Sequence, residues 1–525
     1  RCRVLPRLRC LLHGRDCCPR SVGIVGFDCG KPGGAWKAVS GCAQSLSPTS
    51  VTASPGNRTC YNRRAKRVLE NIRGVLDVRR AQSCFAVVAV LCTWCGMNAS
   101  SGGDWPTWRF DVGRRAASPG ELPGELHLQW VRELPSPQPA WPASQFKLRF
   151  DAGYEPVASG ASLFVGSTVN DSITAYDTRS GEEQWRFYTA GPVRFAPACW
   201  EDRVYAVSDD GRLYCLDAAT GDLLWDVAGG ASTRMIIGNG RLVSAQPARG
   251  GVVVDNGVAY FAAGIWPSMG VFVNAIDART GEALWINSET SGLFITHPHG
   301  ADAFGSVSPQ GQLALTDDAV IVPGGRTLPA VFDRETGELR HFNFGGKGSG
   351  GHRVMASGEL ILCGHEALRP RDGASVARFP ATVSGAYGAL GNSAAQEIVL
   401  TVPRGRIEDV TTIDRRGREQ TRPVFTPDGQ QRARLSGPGQ VHIQVGRHLL
   451  ASGNNKVAAY DLERIDNGDQ LDPVWSADVG GDVWTMIFAD DRLFVVTADA
   501  RIVCFGEARV PTVSHEWDPR PAAVP

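Results

Sequence analysis

Several motifs that would identify a common activity are missing from this sequence. The only adjacent cysteine pair is Cys17-Cys18, and no C-x-x-C-H motif occurs, so nothing supports a c-type haem. Neither a G-x-S-x-G nucleophile site nor a phosphate loop ending in G-K-[ST] is present. The apolar run at 85–95 covers only 11 residues, too few to span a bilayer. The sequence must therefore be interpreted from its repeats rather than from a catalytic motif.

Acidic charge is in excess over most of the chain, although Lys+Arg and Asp+Glu both number 54. Residues 1–80 hold 16 Lys+Arg against 4 Asp+Glu, which leaves 38 against 50 for residues 81–525, an acidic excess of 12. Phosphate backbones repel a protein body of this charge. We therefore expect no nucleic-acid partner.

The first 103 residues are predicted to lie outside the folded domain. Residues 1–80 carry seven cysteines and no sustained strand or helix period, which favours a leader over a metal-binding or disulfide-rich module. Residues 81–103 follow two arginines and combine the apolar run 85–95 with a small polar exit, the pattern of a secretory signal peptide. A buried strand is the alternative interpretation of the run. The signal predicts export to the periplasm or cell surface of a bacterial envelope, with no transmembrane segment in the mature chain.

Residues 201–227, EDRVYAVSDDGRLYCLDAATGDLLWDV, show the unit from which the rest is built. Two runs of alternating apolar residues are separated by Asp/Gly turns, which predicts short antiparallel strands. The Asp217 carboxylate is expected to accept hydrogen bonds from amides of its own turn, and Gly221 to adopt a positive φ without steric cost. Trp225 follows four residues later on the outgoing strand.

The pattern D-x-x-[TS]-G-x-x-x-W recurs along the chain. Its copies are Asp177, Gly181 and Trp185; Asp217, Gly221 and Trp225; Asp277, Gly281 and Trp285; and Asp333 and Gly337 with His341 in the tryptophan position. Degraded copies lie at 414–417 and at Asp461 with Trp475, and one is lost near Asp372-Gly373. A repeat of this length carrying four short strands is typical of a β-propeller blade.

The two ends of the domain complement each other. Residues 490–505 align with 201–216 and place Cys504 on Cys215, but no T-G-x-x-x-W follows. Trp130, in the strand-like segment 126–134, supplies the missing outer strand, and closing a ring in this way removes exposed sheet edges. We predict an all-β, eight-bladed propeller of four-stranded antiparallel blades over 104–510, closed by this N-terminal strand and followed by a disordered tail at 511–525. Blades are expected at about 154–187, 192–227, 251–286, 304–342, 352–379, 396–420, 440–479, and 482–505 with 128–134.

Segments such as AYDTRSGEEQW and AIDARTGEALW resemble the tryptophan-docking repeats of the pyrroloquinoline-quinone-like (PQQ-like) β-propellers. This family contains quinoprotein alcohol and sugar dehydrogenases and noncatalytic members, among them BamB, the propeller lipoprotein of the bacterial outer-membrane barrel-assembly machine. The resemblance implies that each blade's tryptophan packs against the neighbouring blade. It gives that structural role to Trp130, Trp185, Trp225, Trp285 and Trp475.

The resemblance also implies what a dehydrogenase would need: vicinal cysteines over the quinone, a calcium ion held by Glu and Asn, and an Asp base. In the propeller region the cysteines, Cys199, Cys215, Cys363 and Cys504, are isolated, and Cys215 and Cys504 are expected to pack in the core. We therefore favour the noncatalytic, BamB-like branch: a binding or scaffolding module for an envelope protein or polymer, without a cofactor. A PQQ- and calcium-dependent dehydrogenase is the alternative.

One polar group remains as a candidate site. His297, His299 and Asp302 have the residue types and spacing of a transition-metal site on an extended segment, although His-Pro-His in a loop is more often hydrogen-bonded surface. Paired carboxylates such as Asp209-Asp210 are expected to be solvated hairpin tips.

Overall fold

A computed structural model describes residues 103–518, except 298, 347–348, 358, 379–382, 385–388, 393–396, 402–404, 414–415 and 466–469. The predicted leader, and the predicted signal peptide up to residue 102, lie outside the described residues. The described part contains no α-helix; its 3-10 helices are Phe146–Leu148, Pro267–Met269, Glu289–Gly292 and Leu462–Arg464. No helix there is both long and apolar enough to cross a membrane. The protein is an all-β propeller.

Each blade is an antiparallel sheet of four strands, which in all but the last blade run in sequence order from the axis to the rim. Blade 1 consists of Val157–Ser159, Ser162–Ser167, Ser172–Asp177 and Glu183–Tyr188. Blade 2 consists of Ala198–Trp200, Arg203–Val207, Arg212–Asp217 and Leu223–Ala228. Blade 3 consists of Gly250–Asp255, Val258–Ala263, Phe272–Asp277 and Ala283–Asn287. The core lies between neighbouring blades, where for example Phe164 of blade 1 belongs to the same buried cluster as Val204 of blade 2.

Four further blades repeat this plan. Blade 4 consists of Ala314–Leu315, Ala319–Val322, Ala330–Asp333 and Leu339–His341, and blade 5 of Val354–Ser357, Leu360–Cys363, Glu366–Leu368 and Ser375–Arg378. The penultimate blade consists of Gln440–Val445, His448–Gly453, Lys456–Asp461 and Trp475–Asp478. The closing blade consists of Val483–Ala489, Arg492–Thr497, Arg501–Gly506 and the N-terminal strand His127–Glu133.

These seven sheets are the blades that the structure shows over the described residues, whereas the sequence predicted eight. Between blade 5 and the penultimate blade the backbone forms one more sheet, of Val383–Ser384, Ala389–Asn392, Glu397–Thr401 and Gln430–Leu435, with Gln470–Leu471 at its edge. The prediction of a blade at 396–420 is wrong in its bounds. Gly405–Ile413 and Glu419–Pro427 pair only with each other, as a two-stranded ribbon inserted into this sheet.

Smaller strands complete the architecture. Ala117–Ser118, Gly311–Gln312 and Val513–His515 each add a parallel edge strand to a blade. Two hairpins project from the connections between blades: Met235–Gly238 with Arg241–Ser244, and Leu293–Thr296 with Asp302–Gly305. The second hairpin ends at Gly305, just inside the segment 304–342 predicted to be blade 4.

The predicted closure of the ring by the two chain ends is confirmed. The strand His127–Glu133 pairs with Arg501–Gly506, and Trp130 lies opposite Cys504. The predicted disorder after residue 510 is wrong for Val513–His515, which pairs with the same N-terminal strand, with Val513 beside Trp130. Only 1% of the Trp130 surface is exposed.

The docking tryptophans form one repeated contact between blades. An indole packs against the turn glycine of the next blade, and its N–H donates to a carbonyl of that turn. The pairs are Trp130 over Gly181 with Thr178 O at 3.0 Å, Trp185 over Gly221 with Ala218 O at 3.0 Å, Trp225 over Gly281 with Arg279 O at 3.2 Å, and Trp285 over Gly337 with Arg334 O at 3.1 Å. In the penultimate blade, Trp475 donates to Leu126 O at 3.0 Å, immediately before the closing strand.

The turns that receive the indoles have the predicted chemistry. In blade 2, Asp217 Oδ1 accepts from the amides of Ala219 and Thr220, both at 2.9 Å, and Gly221 has a φ of +76°. These amide hydrogen bonds lower the pKa of Asp217, since they favour the charged carboxylate. A Cβ on Gly221 would come within 2.6 Å of the Trp185 ring, so close packing as well as backbone conformation requires glycine here.

His341 replaces a tryptophan yet occupies the same docking position. Its ring packs over Gly373, where the sequence indicated a lost copy of the motif, and Nε2 lies 2.7 Å from Pro370 O. Nδ1 is buried without a hydrogen-bond partner.

We expect His341→Trp to raise the free energy of unfolding by about 1 kcal/mol. The substitution adds buried apolar area and removes the unpaired nitrogen. Urea unfolding of the variant and the parent protein measures the difference. A destabilised variant would show that blade 5 leaves no room for an indole.

Candidate functional site

The axis of the propeller is crossed by the N-terminal segment 104–118, here called the axial segment. Its backbone bonds directly to the inner strands of five blades. The contacts are Trp105 with Ala158, Pro106 O with Cys199 N, Val112 O with Leu315 N, Gly113 O with Ala356 N, and Ala116 O with Gln444 N, at 2.6 to 2.9 Å. In these five inner strands, part of the free edge is thus hydrogen-bonded to the axial segment.

Arg114 ties the axial segment to blades 3 and 4. Its guanidinium is fully buried and donates to Leu313 O at 2.6 Å, Thr107 Oγ1 at 2.7 Å, Trp108 O at 2.9 Å and Val252 O at 3.3 Å. Burial lowers the pKa of Arg114 to about 9. These carbonyl contacts give Arg114 a structural role.

A second segment, 135–151, follows the closing strand and is here called the capping segment. Trp141 Nε1 donates to Gln310 Oε1 at 3.0 Å, and the Lys147 ammonium donates to Ser349 O. Phe150 stacks on Phe195, with ring centroids 4.8 Å apart. The capping segment therefore reaches from blade 2 to the loop that precedes the first strand of blade 5.

A buried ion network anchors the capping segment to blade 2. Arg194 contacts Asp151 and Asp209, each at 2.6 Å, and Arg249 contacts Asp209 at 3.0 Å. Burial alone would raise the pKa of Asp209, but Arg249 and Arg194 outweigh it and hold that pKa below its usual value. The expectation that Asp209 is a solvated hairpin tip is wrong. Its partners are distant in sequence, and no local pattern encodes them.

Trp108 of the axial segment and Phe150 of the capping segment line one small cavity on the axis. Its other lining residues are Glu155, Phe195, Ala196, Gln312, His352 and Arg353, and its volume is ≈ 10 Å³. This is about the smallest space that holds one water molecule. Glu155 Oε1 accepts from Trp484 Nε1 at 2.9 Å, and burial raises the pKa of this carboxyl despite the nearby Arg353.

Two histidines near the axis, His442 buried and His352 half-buried, make stability depend on pH. Burial lowers the pKa of His352 and of His442 to about 3, with Arg353 contributing to both shifts. His442 Nε2 lies 2.8 Å from Ser452 Oγ. The folded state holds both rings neutral, while the unfolded chain binds protons below pH 6.5, the ordinary value. Stability therefore falls as pH drops from about 6.5 towards 3.

We expect His442→Gln to flatten this dependence. Each such histidine contributes a slope of up to about 1.4 kcal/mol per pH unit within that window. Urea unfolding at pH 7, 6, 5 and 4 measures the slope in the parent and the variant. Equal slopes would show that His442 titrates normally in the folded protein.

A larger pocket lies where blade 1 meets the closing strand. Its volume is ≈ 200 Å³, and residues 516–518 form one wall. Four carboxylates and two guanidinium groups line it: Glu133, Glu183, Glu516, Asp518, Arg132 and Arg186. The Arg132 guanidinium covers the Tyr176 ring at 4.5 Å and donates to Gly181 O at 2.7 Å. The acidic balance disfavours an anionic ligand, and the pocket has room for a small polar molecule.

The residues predicted to bind a metal lie at the end of a hairpin. The rings of His297 and His299 are 5.7 Å apart, and Asp302 Oδ1 accepts from Thr296 Oγ1 at 2.6 Å. The His297 ring packs on Phe344, with centroids 4.3 Å apart. Within the described residues, no group of three or more His, Cys, Asp or Glu side chains is placed to hold a metal ion.

The four cysteines of the described region are buried, free thiols. Cys215 and Cys504 lie opposite Trp225 and Trp130, the equivalent positions that the sequence predicted. Burial raises the pKa of Cys215 to about 11 and that of Cys363 to about 12. These thiols pack in the core and are poor nucleophiles at neutral pH.

Comparison with known proteins relates the chain to the PQQ-like propellers. Residues 106–265 match the family described as PQQ_2, "Outer membrane protein assembly factor BamB". Quinohemoprotein alcohol dehydrogenase ADH IIB of Pseudomonas putida is 32% identical over 126 residues, which are 22% of this chain and 17% of that protein. Quinohemoprotein alcohol dehydrogenase of Comamonas testosteroni is 28% identical over 221 residues, 39% and 28% of the two chains. This chain thus spans less than a third of either relative.

Solved structures of both kinds of propeller resemble the chain. The crystal structure of the Comamonas testosteroni enzyme has a TM-score of 0.47 and 16% identity, over 82% of this chain and 85% of that one. The structure of BamB from Moraxella catarrhalis has a TM-score of 0.35 and 13% identity, over 73% and 100%. The curated relatives named above are dehydrogenases, so they do not support the preference for the BamB-like branch drawn from the sequence.

The axial cavity does not fit the quinone and calcium that the sequence resemblance implies for a dehydrogenase. A ligand of that size needs a cavity of about 300 Å³ or more, whereas the axial cavity measures ≈ 10 Å³. Calcium needs about six to eight oxygen ligands, and the single carboxylate lining that cavity, Glu155, accepts from Trp484. Trp108 and Phe150 border the cavity from the two chain segments that pack there.

Proposed function

We propose that the chain is a propeller related to the quinoprotein dehydrogenases that acts as a noncatalytic binding or scaffolding module of the cell envelope. One observation carries this proposal: Trp108 of the axial segment and Phe150 of the capping segment pack together on the axis and line a cavity of ≈ 10 Å³. Propellers present loops from many blades on a rigid disc, which suits recognition without chemistry. The partner proposed is an envelope protein or polymer.

The second candidate function is a quinone-dependent alcohol or sugar dehydrogenase. The names of the curated relatives favour it, since they are quinohemoprotein alcohol dehydrogenases. The geometry of the described axis favours the binding role. In a dehydrogenase, Glu155 would be the one acidic group at the axial cavity available to contact the cofactor.

Reconstitution distinguishes the two candidates. The purified chain is incubated with pyrroloquinoline quinone and calcium, bound quinone is measured by equilibrium dialysis, and dye-linked oxidation is assayed with alcohols, glycerol and sugars. The Comamonas testosteroni apoenzyme, treated in parallel, is the positive control. We expect no stoichiometric quinone and no dye reduction. Quinone binding with dye reduction that Glu155→Gln abolishes would establish the dehydrogenase instead.

We also propose that the sheet over 383–435 is an eighth blade. Its four strands follow the same order in sequence as in the other blades, and it lies between blade 5 and the penultimate blade along the chain. A crystal structure viewed along the axis should show eight sheets, and a ring of seven would contradict this.

The envelope location is proposed from the signal-like segment 81–103. Mass spectrometry of the mature N-terminus tests it, because export predicts removal of the apolar run 85–95. Mature protein that retains the run would contradict export by this route.

A further inference from the structure

The two faces of the disc differ in what they present to solvent. Because neighbouring strands in a blade run in opposite directions, the connections between blades emerge on the same face as the loops between second and third strands. We call this the connection face. The Asp-x-x-Thr-Gly turns lie on the other face. The capping segment, both hairpins and the loop 264–271 therefore belong to the connection face.

Contacts between these segments make the connection face continuous. Asn239 at the tip of the first hairpin donates to Ala140 O of the capping segment. Trp266, in the loop 264–271, lies edge-on to Trp141 with centroids 6.5 Å apart. The amide of Val271, in the same loop, donates to Ser291 Oγ at 2.8 Å, immediately before the second hairpin.

Each hairpin is apolar on both of its sides. In the first, Ile236 and Val243 form a cross-strand pair that faces the body, with Val243 2% exposed. The next pair, Ile237 with Leu242, is 85% and 60% exposed. A hairpin with one solvated side normally carries polar residues there, so this outward pair is the unusual feature.

The second hairpin repeats the arrangement. Phe294 and Phe304 are a cross-strand pair, 62% and 74% exposed, with ring centroids 5.2 Å apart. Phe146 of the capping segment is 71% exposed, and Trp266 is 46% exposed. Six large apolar side chains thus project from four segments of one face, which marks an interaction surface.

The charge of the connection face differs from that of the body. The four segments that project these side chains carry the cations Lys147, Arg149 and Arg234 against the exposed carboxylates Glu289 and Asp302, while Arg241 is paired with Asp171. Over residues 81–525 the balance is 38 cations against 50 carboxylates. Near a negatively charged surface, this difference in charge favours the orientation in which the connection face points toward that surface and the acidic remainder points away from it.

We propose that the connection face docks on an anionic lipid bilayer. Separate aliphatic and aromatic projections flanked by Lys and Arg fit the interfacial region of a membrane, where apolar groups insert and cations meet lipid phosphates. A peptide adding to one hairpin edge would leave the other hairpin, Phe146 and Trp266 uncovered. This inference goes beyond the proposed binding role and is independent of whether the axis takes a quinone.

Vesicle sedimentation of the full chain tests the proposal. Vesicles of phosphatidylcholine with phosphatidylglycerol are compared with phosphatidylcholine alone, at low and high salt. The face variants are Ile237→Ser with Leu242→Ser, and Phe294→Ser with Phe304→Ser. The matched control is Leu284→Ser with Ile286→Ser, because these residues are 55% and 52% exposed on the rim of blade 3.

We expect binding to the anionic vesicles that high salt weakens, and a loss of at least about tenfold in each face variant but not in the rim variant. Hydrogen–deuterium exchange of the parent protein should show protection by vesicles at 233–246 and 291–306, which separates this face from any binding through 85–95. Absence of vesicle binding or of that protection, or equal loss in the rim variant, would overturn the proposal. So would concentration-dependent self-association that the face variants abolish, which would assign the face to a second copy of the chain.

Discussion

Trp130→Ala is expected to lower the free energy of unfolding by about 3 to 5 kcal/mol. The indole is 1% exposed, packs over Gly181 of blade 1, and donates to Thr178 O at 3.0 Å. It lies on the strand by which the N-terminal part of the chain completes the closing blade. Truncation therefore leaves a cavity at the junction of three chain regions: the closing strand, blade 1 and the strand Val513–His515.

Urea unfolding followed by far-UV circular dichroism measures this effect. Trp517→Ala is the matched control, because Trp517 is 41% exposed, and a change within about 0.5 kcal/mol is expected there. If both variants unfolded at the same urea concentration, Trp130 would not support ring closure.

Asp209→Ala is expected to cost about 3 to 5 kcal/mol, because it leaves Arg194 and Arg249 buried without their shared carboxylate. Arg194 would keep Asp151, at 2.6 Å, whereas Arg249 would keep no carboxylate within the ion network described above. The capping segment should loosen first, since Asp151 links it to Arg194.

Equilibrium unfolding gives the magnitude, and hydrogen exchange of residues 135–151 gives the location. Asp226→Ala removes the half-exposed carboxylate that pairs with Arg212, a contact worth about 0 to 1 kcal/mol. A loss in Asp209→Ala no larger than in this control would mean that the buried network contributes little to stability.

The features that local chemistry encodes could be predicted from the sequence. The Asp217 turn and its glycine depend on hydrogen bonds within a few residues, and the docking tryptophans follow at a fixed spacing. The pairing of Trp130 with Cys504 was predictable because the last repeat lacks its outer strand. The sequence also indicated a lost copy of the turn near Gly373, although the residue that docks on this glycine is His341 rather than a tryptophan.

The features that distant residues create could not be predicted. Asp209 looked solvated because its partners, Arg194 and Arg249, are 15 and 40 residues away. The packing of the axis depends on Trp108 and Phe150, which stand in segments without strand periodicity. The ribbon at 405–427 has the alternating pattern of blade strands, so periodicity alone did not distinguish it from a blade.

Disulfide trapping tests most directly whether the two ends of the chain build one blade. Glu133 and Arg501 are cross-strand partners on the closing blade, so Glu133→Cys with Arg501→Cys should form a bond on mild oxidation. Peptide mapping by mass spectrometry identifies that bond against the native cysteines. We predict a cross-link between these two positions and a higher unfolding midpoint in the oxidised protein. A pair that stays reduced, or that bonds only to other cysteines, would contradict the ring closure on which this description of the protein depends.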